Sequence, residues 1–443
     1  MKARAPLIVS SVPEAPRPSL PRLGRTVWLV LAVALAIRLL FILATPGHAL
    51  VHDGRDYDRH ARSIAQGQGY PSAIEPGRET AFRPPAYPYL LAGVYRLTGV
   101  ERADAAVRLV PARVTGAVIG TLIVALLGIL VAQLWGRRVS LVAMALAAVY
   151  IPLILIGGST ISEPLFAMLL VAALVVAIHH RRSRHRYRYA VIAGVLAGLT
   201  ILTRANALVL LLPLAIAVWD ARPRRSWPAL GPPAVLVVVA LITVSPWTIR
   251  NAVVFDAFIP VSTQLGSAIA GTYNDAARND TENPASWRAL KHVADYASIY
   301  RGVRRTPEPV LEQRLRAAAL RYVAENPLYV AEVGFWSTVR MLDLAGRRWS
   351  RHTASTIGVG PGWADAGVVC FWIFAVLALF GAATRLARRA PWFVWAVPGL
   401  LFASVVLLVV ETPRYRAGID LFVVILAAVA LTAGWTRLRT GRA

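Results

Sequence analysis

Long apolar blocks separated by short polar breaks dominate this chain. Windows long enough to cross a bilayer lie near residues 26–45, 110–134, 139–157, 161–179, 189–203, 206–219, 229–249, 366–384, 391–410 and 418–435. About twenty apolar residues at a helical rise of about 1.5 Å span the hydrocarbon core. The ten windows predict an all-α polytopic membrane protein of about ten transmembrane helices. The first window is too long for the apolar core of a cleaved signal and reads as an uncleaved first helix. The pair at 189–219 is broken by Thr203-Arg204-Ala205-Asn206, so it reads either as two helices or as one re-entrant unit.

Arginine placement separates those two readings. With the N-terminus in the cytoplasm, the inner segments carry five Lys/Arg before residue 26, two at 137–138, five at 181–188, three at 222–225, three at 385–389 and three at 437–442. Against these twenty-one, the short outer turns carry only Arg204, Arg414 and Arg416. If 189–219 were one unit crossing once, Arg385, Arg388 and Arg389 would fall outside, against the bias that sets orientation. The expected layout is therefore a disordered basic cytoplasmic tail at 1–25, a transmembrane core at 26–249 with a first outer loop at 46–109, an extracytoplasmic segment at 250–365, C-terminal membrane helices at 366–435 and a cytoplasmic tail at 436–443.

Within the first outer loop, Tyr57, Ala61, Ile64 and Ala65 mark one face of an amphipathic helix. The segment 250–365 predicts a helix around Leu311, Leu315, Ala319 and Tyr322 that ends before Pro327, then an interfacial helix over Leu328–Leu342 with Phe335 and Trp336. The rest of that segment shows no soluble-domain pattern. No 20–50-residue repeat and no inverted repeat of the transporter kind is visible.

Composition changes the picture little. The 443 residues are 57% hydrophobic and 16% charged, with mean hydropathy +0.55. A net charge of +25 would suggest nucleic acid in a soluble chain; here the basic residues sit between apolar runs, so membrane orientation accounts for them and no nucleic-acid partner is expected. Only Lys2 and Lys291 are lysines, and the Arg, Ala, Val and Leu bias suggests a high-GC bacterium. The single cysteine, Cys370, reads as a small buried hydrophobe.

The chemistry lies in the outer-face inventory. Val51-His52-Asp53-Gly54-Arg55-Asp56-Tyr57 and Phe82-Arg83-Pro84-Pro85-Ala86-Tyr87-Pro88 fall between the first two spans, and Glu163 opens the fourth. Arg83, Arg204, Arg250, Arg414 and Arg416 fall at outer ends or in outer loops. Arginine forks match phosphate oxygens, so arginines converging beside carboxylates would make a site for a phosphate-bearing lipid plus a general base. Each residue also has a plainer role. Glu163 would complement a helix dipole, Asp53 would be an N-cap, and Asp56 and Asp58 would line a solvated helix face. Arg250 would anchor at the interface, and Arg414 and Arg416 would snorkel. His52, His179, His180 and His185 show no metal spacing. No phosphate loop, zinc motif or nucleophile elbow occurs. No cofactor is firmly implied, and a divalent cation would be held only if the fold brings Asp53 and Glu163 together.

The chain resembles GT-C-fold membrane glycosyltransferases of the protein mannosyltransferase and aminoarabinose transferase type, a family-39-like group. The resemblance rests on Asp53-x-x-x-Tyr57, Gln66-Gly67-Gln68-Gly69-Tyr70, Arg83-Pro84-Pro85-Ala86-Tyr87-Pro88, Ser162-Glu163-Pro164-Leu165-Phe166, Gly194-x-x-x-Gly198-Leu199 with Leu202-Thr203-Arg204, Pro246-Trp247-Thr248-Ile249-Arg250-Asn251 and Arg414-Tyr415-Arg416. These occur in the family's order across roughly 26–265 and 366–435; nothing in 270–360 matches. The resemblance implies a polyprenyl-phosphate-linked sugar donor, transfer at the outer face of the cytoplasmic membrane, and a glycan, lipid or protein acceptor. The family's first-loop acid maps onto Asp53, with Glu163 sharing its load. Many members have two adjacent acids there, where this chain has Asp53-Gly54. Arg83, Arg204, Arg250, Arg414 and Arg416 would hold the phosphate, and Tyr57, Tyr87, Asn251 and Tyr415 would line the sugar or acceptor pocket. The competing functions are a polyprenyl-linked glycan ligase or polymerase and, in a different class, a lipid or solute transporter. Spans almost free of charge apart from Arg38 and Arg113 favour surface chemistry over transport.

Overall fold

The computed structural model describes residues 24–72, 77–219, 227–301, 303, 305–408 and 412–440. The tail at 1–25 lies almost wholly outside them, as do Arg222, Arg224 and Arg225. The chain begins with α1 (Arg25–Ala44), two loop helices α2 (His52–Ala65) and α3 (Ala86–Thr98), and the long α4 (Ala105–Trp135). Then come α5 (Arg137–Val149), α6 (Ile151–Gly157), α7 (Glu163–His180), α8 (Arg186–Thr203), a 3-10 turn at Ala205–Leu210 running into α9 (Leu211–Val218), and α10 (Gly231–Phe255). The segment after α10 holds α11 (Gln264–Thr272), the short α12 (Asp275–Arg278) and α13 (Ala297–Arg301), then α14 (Glu308–Glu325), α15 (Pro327–Met341) and α16 (Arg347–Ser355). The chain closes with α17 (Pro361–Ala382), α18 (Trp392–Leu408) and α19 (Ala417–Thr440).

Every apolar window is helical. Among the described residues six helices are long and apolar enough to cross a membrane, and α5 with α6, bent by 57°, makes a seventh if the pair is one span. The windows at α8, at Ala205–Val218 and at α18 are helical too, but shorter or opened by arginine. Among the described residues there is no strand, only an isolated bridge between Pro71 and Glu79.

The bend between α5 and α6 has a covalent cause. Pro152 lacks the N–H that would bond the Ala148 carbonyl and crowds that same carbonyl. Arg38, buried in α1, donates from Nη1 to Ala148 O and from Nη2 to Ala147 O, both at 3.3 Å. Arg113 on α4 ties the far end: Nε donates to Gly158 O at 2.8 Å and Nη1 to Thr45 O at 2.9 Å. The two intraspan arginines thus satisfy backbone freed at helix ends, which hydrocarbon would leave bare. Gly116 lets α4 meet α6 closely; a Cβ there would stand 1.9 Å from Gly157 O.

Residues 250–365 carry more fold than their sequence suggests. Ile269, Tyr273, Tyr296, Leu315, Tyr329 and Val333 form a separate small core. Tyrosine supplies much of it, and tyrosine periodicity does not distinguish a buried helix face from a wet one. α15 buries Tyr329 and Val333 and leaves Leu328 and Phe335 exposed.

Candidate active site

α2 starts without a side-chain cap. Val51 takes the N-cap position in extended backbone, and His52 follows at φ 39°, a left-handed conformation that costs a non-glycine residue about 1–2 kcal/mol. Asp53 is the second residue of the helix, so the N-cap expectation is replaced: its carboxylate bonds side chains from other segments. Helical spacing puts Asp53, Asp56, Tyr57 and His60 along one face.

That face meets three helix ends. Arg83, in the loop before α3, donates from Nη2 to Asp53 Oδ1 at 2.5 Å and from Nε to Asp56 Oδ2 at 2.8 Å. Arg414, in the turn before α19, bonds Asp53 Oδ2 through Nη2. Its Nε stands 3.6 Å from Glu163 Oε1, and Arg204 Nη1, at the end of α8, is 3.1 Å from the same oxygen. The result is an alternating chain: Asp56, Arg83, Asp53, Arg414, Glu163, Arg204. Three carboxylates and three guanidiniums balance in a site where Glu163 keeps 3% of its side-chain surface and the rest 10–19%. Buried charges survive when each has opposite neighbours. Burial alone would raise the Asp53 carboxyl; Arg83 and Arg414 outweigh it and hold that carboxyl well below the usual carboxylate range.

Arg414 is not saturated. Its Nε and Nη1 are buried and make no hydrogen bond, and the residue also lines a cavity of about 70 Å³ with apolar Leu155, Ile156, Ile357 and Val368. Donors of this kind cost about 1–3 kcal/mol each to leave unmet, and an incoming oxyanion would meet them.

Aromatic rings frame the cluster. Tyr57 donates to Ser162 Oγ at 3.0 Å, and its ring stands edge-on to Tyr87, centroids 5.1 Å apart. Burial pushes the Tyr57 phenol up to about 12, so it remains a neutral donor. Arg204 lies 4.3 Å over the ring of Tyr415, whose hydroxyl accepts from Arg414 Nη2 at 2.8 Å.

Several expectations are corrected. Asp56 does not merely solvate a helix; Arg83 and Arg59 both hold it. Asp58 is buried, accepting from Arg108 Nε at 2.9 Å and from the Tyr95 hydroxyl at 2.9 Å, because α2 packs that side against α3 and α4. Arg250 pairs with Glu79, stacks over Trp247 and donates to Thr80 O at 2.9 Å. Asn251 is fully buried and donates to Ile259 O at 3.0 Å. Arg416 turns away from Arg414, to Asp420 at 2.7 Å and Asp343 at 3.2 Å. Arg250, Asn251 and Arg416 thus make structural contacts outside the alternating chain. Asp56 was legible: it lies three residues after Asp53, on the same helical face. Glu79 and Glu308, which anchor the Arg83 segment, carried no local signal.

Asp53 and Glu163 come together, but the positive charge between them is the Arg414 guanidinium. Among the described residues no group of three His, Cys, Asp or Glu could hold a metal ion. The donor set does not fit a cation site, and no step below runs through one.

A family model for dolichyl-phosphate-mannose-protein mannosyltransferases matches residues 82–249. No curated protein sequence matches this chain significantly. The oligosaccharyltransferase AglB from Archaeoglobus fulgidus, in complex with an inhibitory peptide and a dolichol-phosphate, superposes with TM-score 0.55 at 16% identity, covering 94% of this chain and 51% of AglB. The same organism's oligosaccharyltransferase in complex with zinc and sulfate gives 0.53 at 14% identity, over 93% of this chain and 50% of the other. ArnT from Cupriavidus metallidurans bound to undecaprenyl phosphate gives 0.45 at 16% identity, over 94% and 79%, too loose a match to bear on the site. The chain spans about half the length of the archaeal oligosaccharyltransferases it matches. The two matches to the archaeal oligosaccharyltransferase show the fold: this is a polytopic α-helical membrane protein of the GT-C type, as the sequence resemblance implied.

Proposed function

We propose that this protein is a glycosyltransferase that moves a sugar from a polyprenyl-phosphate carrier to a hydroxyl acceptor at the outer face of the cytoplasmic membrane. The observation that carries the proposal is the alternating chain of carboxylates and arginines, in which Arg414 Nη1 has no partner and Nε only a 3.6 Å ion pair to Glu163. The outer-face assignment is supported by the arginine asymmetry of the loops. The carrier class is supported by the family match over 82–249.

In this mechanism the acceptor oxygen attacks the anomeric carbon as the bond from that carbon to the phosphate oxygen breaks. The electron pair leaves with the phosphate, and the acceptor proton goes to Asp53. A single displacement inverts the anomeric centre. Arg83 and Arg414 stabilise the charge that builds on the departing phosphate, where preorganised cations are worth most. The donor also changes the base. With two guanidiniums on it, Asp53 is a poor proton acceptor. A phosphate that draws Arg414 and Arg83 toward itself loosens both pairs, and the Asp53 carboxyl climbs toward the range useful for general-base catalysis. Glu163 and Arg204 hold Arg414 from its other side. Tyr57, Tyr87 and Tyr415 wall the space beside the carboxylate. The test is transfer by purified protein against a panel of polyprenyl-phosphate sugars: turnover with at least one donor is expected, and no turnover or binding with any of them would shift the assignment to a transporter.

A further inference from the structure

The segment that delivers Arg83 to Asp53 is gripped from the opposite side by the last turns of α10 and the residues after it. Glu79 accepts from the Tyr70 N–H at 3.0 Å and pairs with Arg250. Thr80 donates its N–H to Tyr70 O at 2.9 Å, and its own carbonyl accepts from Arg250 Nη1. Glu308, the first residue of α14, accepts from Thr80 Oγ1 at 2.5 Å, the Ala81 N–H at 2.9 Å and Thr263 Oγ1 at 2.6 Å. The Thr263 N–H donates to Ala81 O at 3.1 Å. Residues 79–81 are thus fixed by four separate stretches of chain, at Tyr70, Arg250, Thr263 and Glu308, two positions before the arginine that bridges Asp53 and Asp56.

This clasp is not core packing. Glu79 and Glu308 wall a cavity of about 370 Å³ with Phe255, Pro307 and Leu311, so the grip lies at an open face and its strength is in hydrogen bonds to a carboxylate. Such charge-assisted bonds are stronger than neutral ones, and they fix a loop whose described residues between Ala65 and Ala86 form no helix. We propose that Glu308 is a positioning residue for sugar transfer: by holding Thr80 and Ala81 against Thr263, it sets the Arg83 guanidinium between Asp53 and Asp56. The inference rests on the proposed function, in which Arg83 holds the donor phosphate. It also gives Arg250 a role that phosphate binding does not, as the second jaw of the clasp.

The test is a double-mutant cycle on the full chain in lipid nanodiscs, with Glu308→Ala, Glu308→Gln, Arg83→Ala and the Glu308→Ala/Arg83→Ala pair. Transfer from a polyprenyl-phosphate sugar and binding of undecaprenyl phosphate are both read. Glu308→Ala should lower kcat/KM by roughly 10–100-fold, the loss of one or two such bonds. Glu308→Gln keeps an oxygen for Ala81 and Thr263 and should recover to within about fivefold. In the Arg83→Ala background, Glu308→Ala should cost no more than about twofold, because its effect travels through Arg83. Additive losses, or equal losses with Gln and Ala, overturn the inference. Where Glu308→Ala does not insert stably, Thr263→Val takes its place in the same cycle. Hydrogen exchange gives a readout independent of activity: the variant should exchange faster in peptides covering 79–84 and 52–57, with α8 unchanged. Should the wild-type protein neither transfer nor bind any donor, the functional proposal falls by itself, and unchanged exchange at 52–57 would then overturn the positioning role.

Discussion

Replacing Arg414 by Gln removes the group on which both halves of the site converge. Arg414 bonds Asp53, stands 3.6 Å from Glu163 and keeps two buried nitrogens unbonded. A charge-assisted hydrogen bond is worth about 1.5–3 kcal/mol. Nη1, without a partner until the phosphate arrives, and Nε, which would exchange its 3.6 Å ion pair with Glu163 for a hydrogen bond, together amount to at most about 3–6 kcal/mol, or roughly 10²–10⁴-fold in kcat/KM. Because the phosphate gains charge as its bond to the sugar breaks, much of the loss belongs in kcat, not KM. The substitution also strips one of the two cations that depress the Asp53 carboxyl. A base must be deprotonated, so the acid limb of the wild-type kcat/KM profile, which reports the donor-free enzyme, lies below the ordinary carboxylate range of about 4 and moves upward in Arg414→Gln. The assay is steady-state transfer by purified protein across pH. A kcat/KM within about threefold of wild type, with the acid limb unmoved, would refute the role of Arg414.

Two further predictions concern the scaffold of the first loop. Asp58→Ala leaves the buried Arg108 guanidinium without its carboxylate and should destabilise the protein by about 3–5 kcal/mol, read as a lowered unfolding midpoint; unchanged stability would contradict the pair. His60 is stacked on Tyr70 with centroids 4.2 Å apart, and burial pulls its imidazole down to about 4 although Asp56 opposes the shift. Its folded value lies below the unfolded value of about 6.5, so the unfolded chain binds more protons and stability falls as pH drops from about 6.5 to 4, by on the order of 3 kcal/mol. His60→Phe should flatten that pH dependence of the melting temperature, and an identical slope in the variant would remove His60 as its source.

Hydrophobic blocks carried the fold into the sequence: the described residues of the apolar windows are helical, and six helices, or seven with the bent pair, are long and apolar enough to span, because a membrane span is specified by local composition. Asp53, Arg83, Glu163, Arg204 and Arg414, spread over more than 360 positions, meet in one cluster. The sequence misplaced residues whose partners lie far off. Arg416 has the same local context as Arg414, and only the turn before α19 sends one to Asp53 and the other to Asp420. Asp58 was assigned to water because its partner Arg108 is fifty residues away on α4. The core around Tyr273, Tyr296 and Tyr329 escaped because tyrosine suits both wet and dry faces.

The central claim rests on one oxygen-bearing side chain. Transfer from a polyprenyl-phosphate sugar should fall to background in Asp53→Asn, while the variant still inserts and binds undecaprenyl phosphate through Arg83 and Arg414, with a melting temperature lowered by the lost charge between those two guanidiniums. Near-wild-type turnover by Asp53→Asn would contradict the assignment of Asp53 as the base.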